Sequence, residues 1–179
     1  MSIVSDYEQL IADQTRILGA DHRDTLTSLR RLTEFQFDCR DFAGAAAGYE
    51  RLHAARVRIL GADHEESLIT LSNLATSRAM MGDYAAAIAA YQQVHDGRAR
   101  TLGFHHPDTL RTLDMLADTR ASAGDHEAAA ADFQQLLDTR DRVLGPDHPD
   151  TLRTRGDLIH QQSQLSTAQQ QTPDREVGN

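Results

Sequence analysis

An all-α fold of stacked helix pairs is predicted by three features of this chain. The first is a fixed period. Leu18-Gly19, Leu60-Gly61, Leu102-Gly103 and Leu144-Gly145 recur every 42 residues, with no insertion or deletion between copies. A period of this size is the signature of stacked repeats, each a supersecondary unit that buries its apolar face on its neighbours. The second is composition. Alanine, leucine, arginine, aspartate and glutamine dominate the 179 residues, while aromatics make up 5% and prolines number four. Such side chains lose little freedom in a helix, and few β-branched residues compete. The third is spacing: between the Leu-Gly marks, apolar residues fall at i, i+3, i+4 and i+7, one stripe of a helix.

Each unit divides into two helices. The first half reads His-x-x-Thr/Ser-Leu-x-x-Leu-x-x-Leu, as in His64, Ser67, Leu68, Leu71 and Leu74. It closes at Gly82-Asp83 in the second unit and Gly124-Asp125 in the third. Glycine suits the left-handed end of a helix and aspartate caps the next one. The first unit has Arg40-Asp41 there, which predicts a less regular turn. The second half reads Asp-aromatic-x-x-Ala-x-x-x-aromatic, as in Asp83, Tyr84, Ala87 and Tyr91. The Tyr49, Tyr91, Phe133 series is therefore core. The second helices end in Arg56 and Arg58, Arg98 and Arg100, Arg140 and Arg142, suited to the negative end of the helix dipole. His106-Pro107-Asp108 and His148-Pro149-Asp150 start the next helices, with proline at the favoured first position.

The pattern extends past its full units. Tyr7 and Leu10 stand 42 residues before Tyr49 and Leu52, so residues 3–17 are a second helix without its first. Residues 148–165 are a first helix without its second. Eight helices are expected: three full repeats flanked by half-repeats. In the last helix Arg155 replaces a leucine of the stripe and Ile159 replaces a small or polar residue, a pattern that reads as end-capping. The expected organisation is a solenoid over 1–165 and a polar, disordered tail over 166–179.

Charge and residue usage exclude several chemistries. The net charge is -9, which argues against a nucleic-acid partner. All 18 basic residues are arginine, so no Walker lysine and no Schiff-base lysine exist. One cysteine, Cys39, permits no internal disulfide and no multi-cysteine zinc site. It reads as a structural thiol and fits a reducing, cytoplasmic compartment. The N-terminal MSIVSDYEQL lacks a basic region and a long apolar run, so no signal peptide is expected. No apolar run reaches the ~18 residues of a membrane span. His22, His64, His106 and His148 look like metal ligands, yet equivalent positions on stacked helices lie about 8–10 Å apart, too far to share an ion. They read as helix-start residues. No metal, no cofactor and no catalytic residue is expected.

Unit three carries Leu102-Gly103-Phe104-His105-His106-Pro107-Asp108-Thr109-Leu110, and unit two carries Gly82-Asp83-Tyr84 with Ala87 and Tyr91. On these motifs, residues 3–165 resemble tetratricopeptide repeats, in the 42-residue variety of kinesin light chains and nephrocystin-3-like bacterial proteins. The resemblance implies a right-handed α-solenoid of antiparallel pairs whose first helices line a concave groove for a peptide or protein segment. It implies no catalysis. Mapped residue by residue, the groove comprises Arg30, Arg31 and Glu34 in unit one, Ser72, Asn73 and Thr76 in unit two, and Arg111, Asp114, Met115 and Asp118 in unit three. Asn73 matches an asparagine common in such repeats; Arg31 and Met115 depart from it. Arg30 and Arg31 set against Asp114, Asp118 and Asp157 suggest a groove basic at one end and acidic at the other. The expected role is a protein-interaction scaffold; the alternative is a regulatory module working with a separate nucleotide-switch protein. Exposed solenoid ends offer a surface for self-association.

Overall fold

The computed structural model describes residues 2–170. It contains eight helices in that span: α1 Ile3–Leu18, α2 Arg23–Asp38, α3 Phe42–Leu60, α4 Glu65–Met80, α5 Tyr84–Thr101, α6 Pro107–Ser122, α7 His126–Leu144 and α8 Pro149–Gln170. The all-α repeat expectation is met. α8 runs five residues beyond its expected end, so 166–170 are helix rather than tail; Ser166 and Thr167 hydroxyls donate to the carbonyls of Gln162 and Ser163. The rest of the expected tail, 171–179, lies outside the described residues. Two compact units divide the chain, 1–101 with α1 to α5 and 102–179 with α6 to α8.

In the first unit each helix packs on the next, α1 on α2, α2 on α3, α3 on α4 and α4 on α5. Connections of three or four residues leave no length for a crossover, so consecutive helices run antiparallel. The seam is built from small residues and rings. Ala45, Ala75 and Ala87 are fully buried, and Tyr49 and Tyr91 close over them. A β-carbon added at Gly97 would stand 2.8 Å from Leu68 Cδ2, so α5 meets α4 too closely there for any side chain. The second unit repeats this plan. α7 packs on α6 and α8, with Ala117, Ala129, Phe133 and Leu136 sealed from solvent. The rings at 49, 91 and 133 are core, as expected.

The Leu-Gly marks are helix stops. Gly19, Gly61 and Gly145 hold φ between 93° and 101° with ψ near 160°, a region closed to residues with a β-carbon. Each glycine carbonyl then accepts the amide of the histidine three residues on, and in two joints also a threonine hydroxyl, Thr25 to Gly19 and Thr109 to Gly103, both at 2.9 Å. The four histidines are N-caps. Nδ1 of His22, His64, His106 and His148 accepts the amide of Asp24, Glu66, Asp108 and Asp150, each at 3.2 Å. An accepting Nδ1 is unprotonated, which places the ring hydrogen on Nε2. Asp41, Asp83 and Asp125 likewise cap α3, α5 and α7 through the amides of Gly44, Ala86 and Ala128.

The turn at Arg40 is regular after all. Arg40 takes φ 63°, beside 80° for Gly82 and 84° for Gly124. The same pair of closing hydrogen bonds forms in all three turns: Asp41 to Gln36 and Arg40 to Phe37, Asp83 to Arg78 and Gly82 to Ala79, Asp125 to Arg120 and Gly124 to Ala121, all 2.8–3.0 Å. Tertiary packing thus holds an arginine in a glycine conformation. Cys39 is the C-cap of α2 and is exposed.

Candidate functional site

The helix-end arginines do more than face a dipole. Arg58 Nη2 meets Asp21 at 2.6 Å and Arg100 Nη2 meets Asp63 at 2.6 Å, so the ends of α3 and α5 are tied to the preceding Leu-Gly joints. Each guanidinium holds its partner carboxyl below the usual aspartate range. His105 stands at the third equivalent of those aspartates, and Arg142 turns to its own helix, donating to the Asp138 carbonyl. The inner series goes deeper. Arg56 donates to the Glu66 carbonyl and the Thr70 hydroxyl; Arg140 donates to the Thr154 hydroxyl and to Asp114 at 3.1 Å. Arg98, 2% exposed, meets Glu65 at 2.6 Å.

In the first unit these bonds shape two adjoining recesses. One, of about 310 Å³, has Leu52, Tyr49 and Ile69 as walls and Glu34 and Asn73 at its rim. The other, of about 290 Å³, is walled by Leu26, Ile59 and Leu60. Arg30, Arg56 and Glu66 line both. Of the mapped groove positions, Arg30, Glu34 and Asn73 thus come together. Arg30 Nη1 donates to both oxygens of Glu34, at 2.7 and 2.8 Å, one turn along α2. Its charge is therefore matched locally. Arg31 is exposed and forms no ion pair among the described residues. Burial, and then Glu34 and Asp38, push the Tyr49 phenol up, with Arg30 and Asn73 opposing. Thr76 donates to the Ser72 carbonyl at 3.0 Å, so the Tyr91 hydroxyl donates to Thr76 at 2.8 Å.

In the second unit the mapped residues separate. Arg111 pairs with Asp108 at 3.1 Å on the surface, and Met115 is half-buried. Asp114, expected on an open groove face, is 7% exposed. Arg140 rises from α7 to hold its Oδ2 at 3.1 Å, and Arg153 of α8 meets the same oxygen. Asp118 is exposed and takes no hydrogen bond on its carboxylate among the described residues. Desolvation, followed by the charges of Asp114 and Asp157, pushes its carboxyl above the usual aspartate value, with Arg153 opposing. Arg30 and Asp114 are each paired locally within their own unit. Sequence reasoning missed Arg56, Glu66, Arg140 and Arg153. The signal was present in the spacing of Arg56 and Arg140, two 42-residue repeats apart, matched by that of Thr70 and Thr154.

Among the described residues no group of three or more His, Cys, Asp or Glu side chains is arranged to hold a metal ion. None of their helices is long and apolar enough to cross a membrane.

Known structures show the same architecture. A putative kinesin light chain from Podosopora anserina, with nearly identical TPR-like repeats, superposes with a TM-score of 0.79 at 23% identity, over 93% of this chain and 79% of that one. A single-substitution variant of that protein gives the same values. BtubC (BKLC) from P. vanneervenii matches with a TM-score of 0.65 at 15% identity, over 90% of this chain and 65% of that one. No curated protein matches the sequence. The tetratricopeptide repeat family model matches residues 34–100, 69–141 and 108–158. These segments cover most of the chain, and the protein belongs to the tetratricopeptide repeat family.

Proposed function

We propose that the first unit binds an extended segment of a partner protein, laid across the twin recesses between α2, α3 and α4. Tetratricopeptide repeats generally mediate protein–protein interaction, typically without catalysis of their own. The observation that carries the reading is the shape and lining of those recesses. Each has room for an apolar side chain, and exposed apolar groups line them, Ile69 at 41% and Ile59 at 51%. Between them stands a ridge of Arg30, Arg56 and Glu66, whose charges are already matched within the protein. A segment with two apolar side chains and an uncharged stretch between them fits this surface. The Asn73 amide at the rim supplies a polar group to orient its backbone.

A peptide display library selected on the immobilised protein tests this. Enriched peptides are expected to carry paired apolar residues and to lose binding at least tenfold to Ile69→Asp and to Asn73→Ala. Ile69 is exposed, so its replacement leaves the core intact. Selected peptides that bind both variants as well as the natural protein would place the interaction elsewhere.

A further inference from the structure

The two outermost helices present faces that the internal pairs bury. In the repeat, α1 follows the pattern of α3, α5 and α7, and α8 that of α2, α4 and α6. Leu10 stands at the position of Leu52, Val94 and Leu136, and Ile3 at that of Ala45, Ala87 and Ala129. Those six residues are at most 1% exposed, against 44% for Leu10 and 56% for Ile3. On α8, Leu152 stands where Leu68 and Leu110 are buried, and Ile159 where Thr33, Ala75 and Ala117 are sealed. They are 48% and 60% exposed. An end that only needs solubility is polar. Ile3 and Ile159 do the opposite: each puts a large apolar side chain where the internal repeats have a small residue.

We propose that α8 of one copy of this chain docks on α1 of a second copy, first helix on second helix, in the register of the internal pairs. Close contacts define that register. A β-carbon added at Gly48 of α3 would collide with Thr33 of α2, and one at Gly97 of α5 would stand 2.8 Å from Leu68 of α4. Moved by whole repeats, these pairs set Ile159 against the partner's Asp6 and Leu152 against the partner's Asp13. The partner's Leu10 falls between them and joins the same apolar strip. The polar residues match in this register. Arg120 of α6 meets Asp132 of α7 at 2.5 Å, and their equivalents are Gln162 and Asp6, an amide donor and a carboxylate, both exposed. Leu29 shares a recess with Arg51 and Ala55, and Leu71 shares one with Gln93. Arg155 stands at the position of those leucines, and Asp13 at that of Ala55. The arginine that breaks the stripe of α8 therefore lies beside a carboxylate that α1 carries where the internal second helices have Ala55, Gly97 or Thr139. Within one copy, the Asp13 carboxylate is met only from its own helix, by Gln9 and Arg16 at 3.2 and 3.3 Å. Ile159 and Asp6 are bulkier than Thr33 and Gly48, so this pair stands wider apart than theirs. A contact of one helix on one helix is also small, and such contacts are weak and reversible. It is heterologous: after the first step one α1 and one α8 remain free, and association continues past two copies unless it closes on itself.

The test follows the full chain by sedimentation velocity from about 10 μM to about 1 mM, a span that covers weak association. The mean mass is expected to rise with concentration. Leu10→Asp and Ile159→Asp are each expected to weaken self-association at least tenfold. Both residues are exposed, so both variants fold, and circular dichroism checks this. Their equimolar mixture is the decisive sample. Leu10→Asp keeps an intact α8 face and Ile159→Asp an intact α1 face, so together they form a complex of two copies and none larger. A natural chain that stays monomeric throughout, or a mixture that does, would overturn the assignment. Association retained by either variant alone would overturn it too, in favour of like-with-like pairing of α1 or of α8. Neither residue lines the twin recesses of the first unit, so the outcome is independent of the function proposed for them.

Discussion

Arg40→Gly should stabilise the protein. Arg40 holds φ 63° in the turn between α2 and α3, the left-handed region that its β-carbon resists. The steric cost of that conformation is about 1–2 kcal/mol for a residue other than glycine. Glycine removes the cost and adds freedom to the unfolded chain, worth about 0.4–1 kcal/mol in the opposite direction. No other loss enters, since the Arg40 side chain is exposed and makes no hydrogen bond or ion pair among the described residues. The balance is a gain of about 0.5–1 kcal/mol, or roughly 1–4 °C in the melting temperature of a chain this long. The reverse change supplies the control. Gly82→Ala places a β-carbon in open space at φ 80°, so its cost is conformational alone, and a loss of about 0.5–1 kcal/mol is expected. Urea melts followed by circular dichroism give both numbers. Hydrogen exchange at the amides of α2 and α3 localises the gain, which matters because repeat proteins open in segments. A lower melting temperature for Arg40→Gly, together with an unchanged one for Gly82→Ala, would refute the reasoning.

Three further outcomes follow from contacts in the two units. Gly97→Ala drives a β-carbon to 2.8 Å from the buried Leu68 and should cost about 1–3 kcal/mol in a urea melt, against nearly nothing for Ala89→Gly beyond its helix propensity. Arg140→Met leaves Asp114 short of its buried partner and should cost about 3 kcal/mol; Arg140→Met combined with Asp114→Leu should recover much of that. Asp118→Asn should raise stability at neutral pH. The Asp118 carboxyl titrates above its unfolded value, so the native state binds the proton more tightly; the ionised group costs stability above that raised pKa, and the cost vanishes as pH falls below the ordinary aspartate value of 3.8. Melting temperatures of wild type and Asp118→Asn should therefore converge on acidification. A constant difference from about pH 7 to about pH 3 would contradict this.

The framework was legible because its causes are local. A Leu-Gly stop needs a glycine at φ near 95°, a histidine three residues on caps the next helix, and both needs recur at a spacing the eye can count. Helix existence followed from apolar spacing for the same reason. What stayed hidden depended on three-dimensional register. Arg140 reads as a helix-end cation, but its partners are Thr154, 14 residues on, and Asp114, 26 residues back. Only the packing of α7 on α6 and α8 brings them together, and so only the structure shows Asp114 as buried. Arg40 looked irregular because sequence rules weigh local strain and cannot weigh the contacts of α2 with α3 that override it. The end of α8 was hidden differently. Residues 166–170 are polar and without apolar rhythm, and nothing in them distinguishes an exposed helix from a tail.

One rung of the repeat shows where function separates from framework. Positions 30, 72 and 114 are equivalent and carry Arg, Ser and Asp. Arg30 is matched by Glu34 on its own helix, in the wall of a first-unit recess. Asp114 is met from two other helices, on one oxygen only, and its neighbour Asp118 is left with none. The same backbone position therefore carries a charge paired on its own helix in one unit and a carboxylate buried between two arginines in the other, while the buried rings lie on the partner helices α3, α5 and α7. The scaffold residues repeat in kind every 42 residues, whereas positions 30, 72 and 114 repeat in place and differ in kind. Asp114 belongs to the fold, since Arg140 and Arg153 both close on it, and its replacement alone is expected to cost stability.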